Sequence, residues 1–230
     1  MKVLAIGAHP DDIEIFMYGI LSIYFKRGDK IFTLIATDGS KGSLNPDRKL
    51  VITRKEETKK AIGCFGDTVF LDYPDGDLSS NFEVAAVLKD HINRIKPDLV
   101  ITHSPEDYHS DHISLANFTT NAVGFVCPII FCDTLLGVNF KPDFYVDITK
   151  YFISKTEAIL CHKSQQPKKY VNSVKILNRF RAAQCNAGPN QYAEAFRWDK
   201  KFPYSDIRYL IPPPPEIKSL NYNYNKTKLI

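Results

Sequence analysis

Three side chains able to bind a metal or move a proton stand within four residues near the start of the chain. They are His9, Asp11 and Asp12, in the stretch KVLAIGAHPDD, residues 2–12. One carboxylate could cap the helix that follows, but a cap explains neither the histidine nor the second aspartate. A second group lies in HSPEDYHSDH, residues 103–112, where His109 and His112 are three apart at the start of a helical stretch and so share a face. Here Ser110 or Asp111 is the expected cap. His9, Asp12 and His112 together make a two-histidine, one-carboxylate set that leaves a position open for water, as catalytic zinc sites do. Imidazole and carboxylate without thiolate also suit Fe(II), Co(II) or Mn(II). Asp11 and His109 remain beside that set. A carboxylate there can act as general base on water, and a histidine can act as acid or hold charge on an oxyanion. Such a set is suited to metal-assisted hydrolysis of an amide or ester.

Something must bring two groups a hundred residues apart to one place. Val3, Leu4, Ile6 and Ala8 read as a strand buried on both faces, ended by Pro10. A helix is expected over 12–27, closed by Gly28, then a strand over 30–37 and the Gly-rich turn DGSKGS at 38–43. Helices over 53–63 and 82–95 alternate with strands over 68–72 and 98–102, with turn chemistry at Tyr73-Pro74-Asp75-Gly76. A helix over 113–124, strands over 129–132 and 145–148, and helices over 151–162 and 170–185 follow. Strands alternating with helices predict an α/β fold: a Rossmann-like parallel sheet with helices on both faces, in three αβα layers. Both groups follow parallel strands and therefore emerge at one edge of the sheet.

Composition fits one α/β domain over 1–211, with a Pro-rich segment at 212–215 and a polar, Asn-rich tail completing 212–230. Five cysteines without a CxxC pair, mostly among apolar residues, read as buried free thiols and a reducing, cytoplasmic setting. No signal peptide and no membrane span is expected: the first apolar run is broken by His9 and two aspartates, and the stretch at 13–25 is short and holds Glu14. Charge is uneven. From Tyr151 onward there are 14 Lys and Arg against 5 Asp and Glu, and before it 16 against 21. That basic third could steer an acidic substrate, but no nucleic-acid motif accompanies it.

The motifs resemble those of the PIG-L/LmbE family of metal-dependent N-acetyl-sugar deacetylases. AHPDD with Glu14, and HSDH at 109–112, look like its signatures. TDGSKG, RKEE, YPDGDL, YVDIT, HKSQ and YAEAF follow in the family's order to about residue 196. The resemblance implies an LmbE-like fold and hydrolytic removal of acetyl from an N-acetylglucosamine-type conjugate, a small molecule. It implies that His9, Asp12 and His112 hold the metal, zinc foremost, that Asp11 is the base, and that His109 stabilises the intermediate and protonates the amine. Asp111 matches a residue that tunes that histidine, and Arg54 and Asp75 match sugar contacts. Where relatives often continue with small residues and Gly-Gly, this chain reads IFMYGI at 15–20, which bears on packing beside the site.

Two other readings stand beside this one: a non-catalytic Rossmann-type nucleotide- or sugar-binding module, and a metal-dependent sugar transferase. Against the first, a His-Pro-Asp-Asp turn stands where GxGxxG would follow the first strand. Metal bound without nucleotide separates the hydrolase from both. His103 reads either as a partner to the site or as a core histidine, and His91 as solvated. His162 falls in a motif whose role the residues do not reveal, and oligomeric state, a homo-oligomer included, is left open.

Overall fold

The computed structural model describes residues 1–43 and 48–217. Alternation along the first strand sets the architecture. In β1 (Lys2–Gly7) Val3 and Ala5 join one apolar cluster, while Leu4 and Ile6 join another on the opposite face. A strand buried on both sides needs a helical layer over each. The chain continues through α1 (Asp12–Phe16), α2 (Tyr18–Lys26), β2 (Lys30–Thr37), α3 (Arg48–Ile62), β3 (Thr68–Tyr73) and α4 (Val84–Ile95). Then come β4 (Leu99–Thr102), α5 (Ser110–Val123), β5 (Ile129–Cys132), β6 (Phe144–Asp147), α6 (Phe152–Leu160), α7 (Pro167–Gln184) and β7 (Ala193–Trp198). Ile13, Ile20, Ile62, Ile159 and Val174 cover one face; Leu88, Ile92, Leu115 and Val123 cover the other. The result is the expected three-layer α/β fold.

The sheet order is β3-β2-β1-β4-β5-β7-β6. Neighbours from β3 to β5 are parallel, whereas β7 runs antiparallel to both β5 and β6. The sheet is therefore mixed, where the sequence reading expects a parallel one. That reading has no strand at β7, because Ala-Glu-Ala-Phe carries little intrinsic strand preference. Its place between two strands, with Ala193, Ala195 and Phe196 buried, makes it one. Because β2 and β4 flank β1 on opposite sides, the carboxyl ends of β1 and β4 border the crevice where such folds place ligands.

The helix expected over 12–27 is two helices, broken at Met17 (φ −132°, ψ −8°). The cause lies far along the chain. Glu194 of β7 accepts from the N–H groups of Gly19 (2.9 Å) and Ile20 (2.8 Å), supplying α2 with its own N-terminal acceptor. A Cβ at Gly19 would stand 2.4 Å from Ile148 Cγ2, so this close approach needs glycine. The bulky Phe16 before it packs edge-on against the rings of His103 and His112. Gly28 (φ 90°) follows the end of α2 as expected.

Two further expectations shift. Helix α5 begins at Ser110 and is capped by His109, whose Nδ1 accepts from Asp111 N–H (3.2 Å), in place of the Ser110 or Asp111 cap. All five cysteines are free, but only Cys127 and Cys132 are buried, and Cys64 is exposed. Pro213 lies against β6, its carbonyl accepting from Asp147 N–H (3.0 Å). The tail from 218 lies outside the described residues. Among the described residues no helix is long and apolar enough to cross a membrane.

Candidate active site

The residues that follow β1 form a tight turn. His9 N–H donates to Asp12 Oδ2 (2.6 Å), and Asp12 N–H donates to the His9 carbonyl (3.2 Å). Asp11 sits at its corner with φ 140°, a conformation that costs a non-glycine residue energy. Arg54 of α3 holds the corner: its Nη2 donates to the Pro10 carbonyl (2.8 Å) and lies 3.1 Å from Asp11 Oδ2, while Nη1 donates to the Gly39 carbonyl (2.8 Å).

The loop after β4 meets this turn. His112 Nε2 lies 3.3 Å from His9 Nδ1 and 3.5 Å from Asp12 Oδ1, and His9 Nδ1 lies 3.3 Å from Asp12 Oδ2. A tetrahedral ion with bonds of about 2.1 Å separates its ligand atoms by about 3.4 Å, so this spacing fits a metal. Each histidine is held from behind. Asp107 Oδ2 faces His112 Nδ1 (2.9 Å), and its Oδ1 accepts from His109 N–H (3.0 Å). Asp111 Oδ2 and Asp75 Oδ1 both stand 3.2 Å from His9 Nε2. His103 Nε2 faces Asp12 Oδ2 at 3.0 Å and is stacked on His112 with ring centres 3.7 Å apart. Ala8 N–H also points at that nitrogen (3.1 Å), which one tautomer cannot satisfy along with Asp12; the charged carboxylate is the stronger partner.

Three donor groups lie close enough to share an ion: His9, His109 and His112; Asp12, His103 and His112; and His9, Asp75 and Asp111. A cavity of about 380 Å³ opens over the cluster and chooses among them. His9, Asp11, Asp12, His109 and His112 line it, whereas His103 and Asp111 do not. Of the three, only His9, His109 and His112 lie wholly on the lining; Asp12 lines it too, 3.3 Å from His9 Nδ1 and 3.5 Å from His112 Nε2, so these four bring their donor atoms to the cavity while His103 and Asp111 stand behind them.

Charge supports the same reading. Asp11, Asp12, Asp75, Asp107 and Asp111 are all buried in this cluster, and one buried arginine, Arg54, lies against it. Burial works against a charge on His9, yet Asp111, Asp12 and Asp75 raise it well above the ordinary histidine range. Burial opposes His112 too, but Asp12 and Asp107 carry it up to about 9. Burial acts against ionised Asp12, but His112 and His103 hold it well below the usual carboxylate value. The surplus of negative charge is what a divalent cation would offset. Asp11 differs: burial pushes it up to about 6 despite Arg54, which suits a proton acceptor. His109 is lowered by burial and by His9 and His112, and with Nδ1 accepting from the backbone its proton resides on Nε2.

Arg54 and Asp75 line the cavity; Arg54 Nη1 and Nη2 meet Gly39, Pro10 and Asp11 while Nε has no hydrogen-bond partner among the described residues, and Asp75 meets His9 and Lys41 N–H (3.0 Å). Asp111 touches His109 only through its backbone; its carboxylate serves His9 and the N–H groups of Gly76 (2.6 Å) and Leu78 (3.2 Å). The sequence reading misses Asp107, for which the only signal is a carboxylate five residues before a ligand histidine. The basic third after Tyr151 gives the cavity only the neutral Gln165 and Tyr170, so its charge does not line the site. His162 pairs with buried Glu14 (2.8 Å).

Comparison with known proteins bears on this geometry. The family described as "PIG-L: GlcNAc-PI de-N-acetylase" matches residues 4–123. The chain is 31% identical over 173 residues to the uncharacterized deacetylase YaiS of Escherichia coli (strain K12), covering 70% of this chain and 90% of that one. It is 28% identical over 189 residues to the diacetylchitobiose deacetylase of Thermococcus kodakarensis, covering 73% and 71%. Among solved structures, the N,N'-diacetylchitobiose deacetylase from Pyrococcus horikoshii superimposes with a TM-score of 0.72 at 25% identity, over 86% of this chain and 83% of that one. GalB, a 4-carboxy-2-hydroxymuconate hydratase of Pseudomonas putida KT2440, gives 0.76 at 20% identity over 90% and 99%, a likeness of fold alone.

Proposed function

The chain belongs to the PIG-L family of metal-dependent N-deacetylases, and on that premise we propose that it removes the acetyl group from an N-acetylglucosamine-type amino-sugar conjugate. His9, Asp12 and His112 would hold the ion, zinc by the chemistry of the donor set, with Fe(II), Co(II) and Mn(II) as the other candidates. Bound there, such an ion would supply Lewis acidity toward an amide carbonyl and toward water near neutral pH. Asp11 would accept a proton from water at its carboxylate. Arg54 keeps the carboxylate turned into the cavity, and burial keeps it basic enough for the task. His109 would present Nε2–H to the acyl oxygen as charge grows there and pass that proton to the departing amine nitrogen, with the proton that Asp11 took from water replacing it.

The observation that carries this reading is the meeting of His9 Nδ1, His112 Nε2 and the two oxygens of the Asp12 carboxylate at 3.3–3.5 Å on the lining of one cavity, with Asp11 and His109 beside them. The test is twofold: metal stoichiometry of the purified chain, and release of free amine from N-acetylglucosaminides with different aglycones. Bound metal without nucleotide and amine release are expected. A chain with no stoichiometric affinity for zinc or the other candidate ions would overturn the reading.

A further inference from the structure

A sugar in this cavity would meet several polar side chains, Arg54 and Asp75 among them, and one of the lining groups carries a hydroxyl that the fold leaves unengaged. Tyr170, in the first turn of α7, lines the cavity with Asp11 and His109, and its hydroxyl makes no hydrogen bond to any described residue. Its ring is packed against the apolar cluster that also holds Ile13 and Ile159, which fixes the direction of the hydroxyl before any ligand arrives. Burial, then the carboxylates of Asp11 and Asp12, raise its pKa above the ordinary tyrosine value, so it remains a protonated donor on the reacting side of the cavity.

We propose that Tyr170 is a substrate-binding residue whose Oη–H donates to a ring hydroxyl of the amino sugar while the acetamido group lies over Asp11. The inference rests on the deacetylase reading. With His109 and the ion position facing the acyl group, the sugar would lie against the rest of the lining, which includes the Tyr170 hydroxyl. Its effect then belongs in binding, not in the chemical step.

The test compares the zinc-loaded full chain with Tyr170→Phe, using N-acetylglucosamine and N,N'-diacetylchitobiose as probes. Free-amine release gives KM and kcat, calorimetry gives the affinity for N-acetylglucosamine, and melting temperature and zinc content check the fold. Tyr170→Phe should raise KM about five- to tenfold, the usual worth of one hydrogen bond, with kcat within about twofold and zinc and melting temperature unchanged. An unchanged KM, or a loss confined to kcat, would overturn the proposal. A wild-type chain that binds N-acetylglucosamine more tightly than the variant but turns over neither sugar would sink the deacetylase reading while leaving Tyr170 as a binding residue.

Discussion

Two kinds of buried charge coexist in this molecule. Away from the cavity, Lys155 faces Glu194 at 2.8 Å, and Arg181 grips Asp133 with Nε at 2.6 Å and Nη2 at 3.0 Å. Each is one cation against one anion, and Glu194 and Asp133 accept backbone N–H groups besides. Around His9 and His112 the count does not balance: five carboxylates gather about imidazoles and one arginine. A balanced pair serves the fold, since removing one partner strands the other. An unbalanced cluster on a cavity wall stores affinity for a cation that the chain does not contain. The comparison predicts that mutations at the first kind cost stability, and at the second kind metal or rate.

The largest effects should fall on the two neighbouring aspartates, and should differ in kind. Asp12→Ala should abolish zinc binding, measured by equilibrium dialysis, and activity with it. Asp11→Asn should keep the metal while kcat falls by roughly 10²–10⁴, the contribution of a positioned base. If Asp11→Asn loses zinc and Asp12→Ala keeps it, the two roles are exchanged. Next comes the scaffold. Lys155→Met leaves Glu194 buried without its cation and should cost about 3–5 kcal/mol in denaturant unfolding, with zinc affinity per folded molecule unaffected. A loss of zinc affinity without loss of stability would break the division between the two kinds of charge.

Asp107 sharpens the division from within the site. Asp107→Asn should weaken zinc binding about 10- to 100-fold, as expected when the group orienting a ligand histidine is impaired, and leave the melting temperature nearly unchanged. The smallest effect belongs to Glu14 and His162. Burial opposes a charge on His162, but Glu14 raises it above the ordinary histidine value. A raised folded-state value adds stability that is fully present below the unfolded value near 6.5 and is lost as pH climbs through the folded one. The melting-temperature advantage of wild type over Glu14→Gln should therefore shrink as pH rises above 6.5. An advantage constant from pH 5 to 9 would show that the pair does not titrate.

The reach of the sequence follows the same physics. Strands β1, β2, β4 and β5 were legible because buried strands are written as apolar runs, and β3, at the sheet edge, because a short apolar run ends in turn chemistry; their shared direction brings His9 and His112 to one edge. What stayed hidden depends on partners that only folding supplies. Strand β7 is a strand because β5 and β6 need filling between them. The break at Met17 depends on a carboxylate 177 residues later in the chain. The family resemblance marked Arg54, Asp75 and Asp111 as belonging to the site, but not which atoms they engage, since a loop carboxylate can turn toward any of several donors.

Glu194 carries one more consequence. The residues that would do the chemistry lie in the first half of the chain, within 9–112. The second of the two helices after the His-Pro-Asp-Asp turn, however, takes its N-terminal acceptor from β7, and the cavity takes part of its wall from Gln165 and Tyr170. During synthesis, at roughly 5–20 residues per second, the nascent chain would hold every reactive group for several seconds before β7 emerges. Catalytic competence would thus come late on the ribosome, set by the arrival of an otherwise unremarked Ala-Glu-Ala strand and not by the histidines and aspartates that precede it.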